Sequence, residues 1–333
     1  MEQSLRRVET GMKKQYIDGL KAGDTAADVF VLSAKTLAQK KDGNNYLTVT
    51  LTDRTGSIKG VVWDHVDEIL DAGLSSGDFV SISGRVNEYR GNLQLVVQTI
   101  KPCPPGAVDP GDFLPQTRHN IENMFSRLVE LTEAIKAEHL KSLFKRFWDD
   151  GEFVQGFKVA PAAKNMHHAY LGGLLEHTLS MALLVERIAG HYHGIDQDLL
   201  LAGVILHDIG KIREFVYDRR LDYSDEGRLL SHIVIGIQML EEKLSGVDGF
   251  PEEQALLLKH LIVSHHGTRE FGSPEIPRTV EALLLNYIDE IDSKVNGVRE
   301  FVASEDPNEA WTSYHRMLGR HFYTGKNKKD PLD

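Results

Sequence analysis

Residues 198–208 read Asp-Leu-Leu-Leu-Ala-Gly-Val-Ile-Leu-His-Asp, apolar almost all round until the His207-Asp208 pair. A stretch that is apolar on every side reads as a buried helix. An ionised Asp208 at its end needs a partner, because a buried carboxylate without one is strongly disfavoured. Two partners are open: a divalent cation, or Lys211, three residues on, in a salt bridge across one helical turn.

Residues further out bear on that choice. His177 follows Gly172-Gly173-Leu174-Leu175-Glu176, His232 lies in another helical stretch, His265-His266 closes an apolar helix before Gly267, and Asp289 sits in Ala-Leu-Leu-Leu-Asn-Tyr-Ile-Asp-Glu-Ile-Asp. One such residue is ordinarily a satisfied core histidine or a helix-end cap. Several on separate apolar helices can converge on metal in a bundle core. The single cysteine, Cys103, leaves no intrachain disulfide and no thiolate-rich zinc site, so a metal would be held by His, Asp or Glu.

From Val29 to about Ile100 the period changes to two. Leu47, Val49 and Leu51 point one way and Tyr46, Thr48, Thr50 and Thr52 the other, and Asp53-Arg54-Thr55-Gly56 turns the chain into Ile58 to Trp63. A helical stretch from Val66 to Leu74 precedes Phe79 to Val86, and Tyr89-Arg90-Gly91-Asn92 turns into Leu93 to Val97. Five strands with a helix between the third and fourth predict an OB-type barrel over residues 1–101. Proline-dense residues 102–116 read as a stiff linker rather than part of a core. Helical spacing then covers Asn120 to Trp148, Leu171 to Ala189, Asp198 to Lys211, Leu229 to Leu244, Glu252 to Val263 and Val280 to Phe301. The expected architecture is two-domain, β then all-α, with a helical bundle over 117–323 and a polar tail over 324–333.

Composition bounds the function. At 333 residues the chain can build two cores. It shows neither a signal-peptide core nor an apolar run of about 18 residues, so a cytoplasmic protein without a membrane partner is expected. A net charge of -11 argues against a surface that grips nucleic acid everywhere. Acids and bases nearly balance in residues 1–101, so the acidic excess lies in the second half, where divalent cations would offset part of it.

The series His177, His207-Asp208, His232, His265-His266, Asp289 resembles the HD-domain superfamily of metal-dependent phosphohydrolases. Members with the paired histidine resemble dinuclear sites. The resemblance assigns His177, His207, Asp208 and Asp289 to one metal and Asp208, His232, His265 and His266 to the other, with Asp208 bridging. Mixed nitrogen and oxygen ligands suit Mn, Fe, Co, Ni or Zn; two such ions are expected, manganese favoured. Asp208 and Lys211 are the expected catalytic residues, Lys211 contacting a phosphate oxygen or the leaving group, with the plain salt bridge as the other reading.

The substrate is argued elsewhere. After His265-His266 the chain reads Gly-Thr-Arg-Glu-Phe-Gly-Ser-Pro, without the Gly-Tyr-Pro of cyclic-di-GMP hydrolases of this superfamily. OB-type barrels present aromatic and basic side chains to single strands; Tyr46, Lys59, Trp63, Arg85, Tyr89 and Arg90 are the candidates, Trp63 as core and Tyr89-Arg90 as a mere turn being the bland alternatives. Asn45-Tyr46-Leu47, Leu51 to Gly56, Asn87 to Gly91, and Pro161-Ala-Ala-Lys-Asn-Met-His-His-Ala-Tyr-Leu-Gly-Gly-Leu-Leu-Glu-His177 together resemble the YhaM-type 3′-to-5′ exoribonucleases. The resemblance extends through a terminal helix, Trp311 to Phe322. It implies processing of single-stranded RNA, with single-stranded DNA as a further substrate, by a homo-oligomer. Lys164, His167 and His168, entering the metal helix, are assigned to substrate, with helix capping as the alternative. Two other functions stay open: a phosphohydrolase of nucleotides or cyclic nucleotides whose OB domain serves assembly, and a single-strand binding module whose second half is a structural metal scaffold.

Overall fold

The computed structural model describes residues 13–40, 43–89, 91–164, 168–217, 221–306 and 308–325. The chain divides into two compact units, residues up to Gln116 with Val216–Asp222, and Thr117–Phe215 with Tyr223 onwards. Among the described residues no helix is long and apolar enough to cross a membrane.

The first unit is the expected barrel. Strands β1 (Thr25–Gln39), β2 (Asn45–Asp53), β3 (Gly56–Val62), β4 (Phe79–Tyr89) and β5 (Asn92–Pro102) close in the order β1-β2-β3-β5-β4, with helix α1 (Val66–Asp71) between β3 and β4. Only the β3–β5 pair is parallel among them. The alternation that marks β2 becomes its burial pattern: Leu47, Val49 and Leu51 meet Phe30, Val80, Val86 and Leu95 in the barrel core. Closure leaves no free sheet edge between first and last strands.

The proline-rich stretch corrects the linker expectation. Val108 and Phe113 are buried in a second apolar cluster with Val31 and Phe79 on the barrel, and the Phe79 and Phe113 rings lie 4.8 Å apart. Two short 3-10 turns, Pro105–Ala107 and Pro110–Asp112, flank Val108 and lead into Phe113.

The second unit is built from α2 (Ile121–Glu133), α3 (Glu138–Trp148), α4 (Gly151–Val159), α5 (Gly173–Ile188), α6 (Gln197–Leu206), α7 (Lys211–Glu214), α8 (Asp225–Leu244), α9 (Glu252–Ser264) and α10 (Val280–Ser304). As its sequence requires, α6 is buried along most of its length. It ends before the expected Lys211: the chain turns through His207–Gly210 and restarts as α7. Gly210 allows that turn, since a Cβ there would lie 2.0 Å from the His232 carbonyl oxygen on α8. A two-stranded hairpin, β6 (Phe215–Val216) with β7 (Asp222–Tyr223), interrupts the expected all-helical run. The expected Trp311–Phe322 helix is likewise absent. Antiparallel bridges join Trp311 to Tyr323 and His315 to Arg320, Gly319 takes a positive φ of 63°, and the Thr312 hydroxyl accepts from the Phe322 amide. Tryptophan, threonine and tyrosine suit such extended pairing as well as helix.

Candidate metal centre

Four elements and the turn after α6 bring the candidate ligands together: His177 from α5, His207 and Asp208 from the turn, His232 from α8, His265 and His266 after α9, and Asp289 from α10. The two oxygens of Asp208 face different neighbours. Its Oδ2 lies 3.1 Å from His207 Nε2 and 3.8 Å from His177 Nε2, and its Oδ1 lies 3.6 Å from His232 Nε2 and 3.7 Å from His265 Nε2. Asp289 Oδ1 stands 3.4 Å from His177 Nε2. Donor atoms of His177, His207 and Asp289 form one tight cluster, and those of His232, His265 and His266 another.

Hydrogen bonds behind the rings fix which nitrogen faces inward. Nδ1 of His207 donates to the Val204 carbonyl (2.8 Å), that of His265 to Ile262 (2.6 Å), that of His266 to Phe271 (2.9 Å) and that of His232 to Glu214 Oε1 (2.9 Å). In a neutral ring with Nδ1 donating, Nε2 is a bare lone pair. Among the described residues, His207 Nε2, Asp208 Oδ1, His232 Nε2 and His265 Nε2 are buried without a hydrogen-bond partner. Unsatisfied buried polar atoms cost about 1–3 kcal/mol each. Lone pairs converging on a carboxylate repel unless a cation stands among them, so these residues fit divalent metal.

Ionisation agrees with that fit. Burial and the neighbouring His266 hold His265 well below its usual value, and burial with His232 lowers His266, so both stay neutral and able to ligate. Burial opposes charge on Asp208, but the Lys211 ammonium on Oδ2 helps outweigh it and keep the carboxyl ionised. His177 differs. Burial pushes its pKa down, yet Asp289 on one nitrogen and Asp292 on the other prevail, raising it from 6.5 to about 9.

Without metal, then, His177 carries a proton where a cation would sit. Its folded value lies above the unfolded one, so its contribution to metal-free stability is complete below pH 6.5 and is lost as pH rises through about 9. Metal uptake in that window should release about one proton. Calorimetric titration at pH 7.5 in buffers of different ionisation enthalpy reads the release as a slope; a flat line would contradict it.

Two residues missed by sequence reasoning orient the ligands. Asp292 Oδ2 accepts from His177 Nδ1 at 2.8 Å, and the carboxylate also takes hydrogen bonds from Ser180 and Asn296. Its spacing of three from Asp289 on one helix was a usable signal. Glu214, 5% exposed, gave none, since its partner His232 lies eighteen positions on.

His168, expected at the substrate, is corrected. Its ring is buried, with Nε2 3.2 Å from Asp292 Oδ2 and Nδ1 2.7 Å from the Tyr170 hydroxyl, behind His177. Lys164 lies with its ammonium 5.4 Å from the Tyr223 ring centre. His167 and Arg90 lie outside the described residues. Lys211 makes the ion pair that was its alternative reading: its Nζ donates to Asp208 Oδ2 at 2.6 Å.

In the barrel, Tyr46 and Trp63 stack with ring centres 5.0 Å apart. Trp63 is 42% exposed and so not core; Lys40 places its ammonium 5.0 Å from that ring. Thr50, Lys59 and Gln94 form one cross-strand row, and Thr48, Val61, Val96 and Arg85 the next. Both rows lie on the outer face, which Tyr89 continues along β4.

Comparisons with known proteins agree with this division. The HD domain model matches residues 174–294, which contain all seven candidate ligands, and the OB-fold nucleic acid binding domain model matches residues 30–102. A Halalkalibacterium halodurans protein named 3'-5' exoribonuclease YhaM is 32% identical over 314 residues, covering 93% of this chain and 96% of that protein. The protein of the same name from Bacillus subtilis strain 168 is 32% identical over 304 residues, covering 90% and 95%. One from Listeria welshimeri is 29% identical over 317 residues, covering 94% and 98%. With both domains matched and the likeness running through nearly the whole length, the chain belongs to the YhaM family of 3'-5' exoribonucleases.

Proposed function

We propose that this chain is a metal-dependent 3′-to-5′ exoribonuclease acting on single-stranded RNA, and on single-stranded DNA by the same chemistry. The observation that carries this reading is Asp208, whose two buried oxygens each face a different pair of imidazoles. We assign His177, His207, Asp208 and Asp289 to one divalent transition metal and Asp208, His232, His265 and His266 to a second, with manganese favoured. When bound, such a pair supplies Lewis-acid polarisation of the phosphodiester and lowers the pKa of the attacking water.

The chain's own residues prepare that site. Asp292 and Glu214 hold the His177 and His232 rings in the ligating orientation. Lys211 stays an ammonium because Asp208 outweighs its burial, so it can neutralise a phosphate oxygen or the leaving group. On the barrel, the Tyr46–Trp63 stack with Lys59, Arg85 and Tyr89 offers π faces and positive charge to a strand. Lys164 is a further candidate contact. The working form is a cytoplasmic homo-oligomer.

RNA labelled at its 5′ end should shorten stepwise from the 3′ end in the presence of manganese, and a chelator should stop it, as read on a denaturing gel. Trp63→Ala should raise the KM for RNA about tenfold, the scale of one lost base stack. Intact RNA alongside cleaved free nucleotides would transfer the function to a nucleotide phosphohydrolase.

A further inference from the structure

A groove runs along the second half of α10 where the Trp311–Tyr323 hairpin packs on it. Its volume is about 460 Å³, its floor is Val295, Val298, Leu318 and Phe322, and Lys294, Arg299 and Arg320 complete its lining. None of these seven residues is acidic. The hairpin is fastened in place: the His315 ring meets Phe301 of α10 edge-on at 4.7 Å, Phe322 packs on both, and Glu305 accepts from the Ser313 amide and hydroxyl. The groove is thus preformed.

Its charge stands out against the chain. Net charge is -11, yet no acidic residue occurs from Ala310 to Gly325, the described length of this segment, where Arg316 and Arg320 fall. Lys294 is paired with Glu290 at 2.8 Å, in a half-exposed contact that a phosphate can replace at small cost. The same hairpin exposes Trp311 and Tyr323, 59% and 65%.

We propose that this groove is a second single-stranded RNA site, in which phosphates meet Lys294, Arg299 and Arg320 while a base or ribose covers the apolar floor. The proposal rests on the exoribonuclease reading above. A cavity of this size suits a nucleotide-sized group, and cations beside apolar and aromatic surface are what unspecific single-strand binding requires. A second copy of the chain fits less well, because a two-fold contact through this face would set the cationic lining against itself.

Position gives the site its role. Val298 lies nine residues beyond Asp289, about 14 Å along the helix at 1.5 Å per residue, and at 100° per residue it points to the opposite side of α10. The groove therefore holds the body of a strand, not the 3′ end being cut, and makes the enzyme favour long RNA over oligomers of a few nucleotides.

The test uses the metal-loaded full chain carrying Lys294→Glu and Arg320→Glu, with the milder Lys294→Ala and Arg320→Ala pair as a graded control. On long single-stranded RNA, KM should rise about tenfold with kcat unchanged, and its salt dependence should become shallower as phosphate contacts are lost. On a trinucleotide, kcat/KM should move less than twofold. Unchanged KM on long strands, or equal loss on the trinucleotide, would overturn the proposal. So would an altered molecular mass with unaltered RNA kinetics, which would make the groove an interface between copies. Failure of the exoribonuclease reading looks different: the unsubstituted protein would itself leave RNA intact.

Discussion

Asp208→Asn is expected to abolish RNA hydrolysis, lowering kcat by about 1,000-fold or more, since polarisation of the phosphodiester and activation of water are each worth several kcal/mol and every 1.36 kcal/mol is tenfold in rate. The substitution keeps volume and shape, so the far-UV spectrum and elution volume should stay native. What changes is charge at the one group that faces both halves of the site. Its Oδ2 addresses His177 and His207, and its Oδ1 addresses His232 and His265. An amide has one oxygen acceptor, and its other end is a donor that would hydrogen-bond a ligand nitrogen and compete with a cation for it. Elemental analysis should therefore show loss at both positions, from about two metals per chain towards none. Retention of one full equivalent would mean that Asp208 serves a single metal, and surviving activity would remove it from the mechanism.

That Asp208 could be found at all reflects where it sits. Two carboxylates and five imidazoles on apolar helices stand out in sequence because such helices have few other reasons to carry them. The barrel was legible for a similar reason: the alternation from Tyr46 to Thr52 separates one buried face from one wet face, and a one-residue slip would invert it. Legibility failed where conformation depends on distant contacts. Val108 and Phe113 look like apolar residues stranded among prolines until Phe79 is placed beneath them. The family resemblance implies a helix from Trp311 to Phe322, yet cross-strand hydrogen bonds and the positive φ of Gly319 make it a hairpin. His168 looked like a loop ligand for substrate because nothing local reveals Asp292, far along the chain. The turn that ends α6 early needs Gly210 pressed against the backbone of another helix.

Ser231 and Glu214 make the strongest case of structure hidden from sequence. Ser231 interrupts α8 with φ 60° and ψ 160°, a region that side-chain-bearing residues enter at a cost of about 1–3 kcal/mol. The break falls immediately before His232. There Glu214 Oε1 takes the His232 N–H at 2.9 Å and its Nδ1 at 2.9 Å. One carboxylate thus restarts the helix and fixes the ring so that Nε2 faces Asp208. Glu214→Ala would leave the amide without that acceptor and free the imidazole to change tautomer. Loss of such an outer partner typically lowers metal affinity about 10–100-fold. Metal activation curves should shift by that factor while kcat at saturating manganese largely recovers, and Glu214→Gln, which keeps an acceptor, should fall between. A purely structural role would lower kcat and melting temperature without rescue by metal. Ser231→Gly should separate strain from function, since glycine takes this backbone without the penalty of a Cβ: the variant should melt higher than Ser231→Ala and keep its manganese requirement. If Ser231→Ala were the more stable of the two, the backbone there would not be strained, and the coupling of the helix break to His232 would lose its energetic basis.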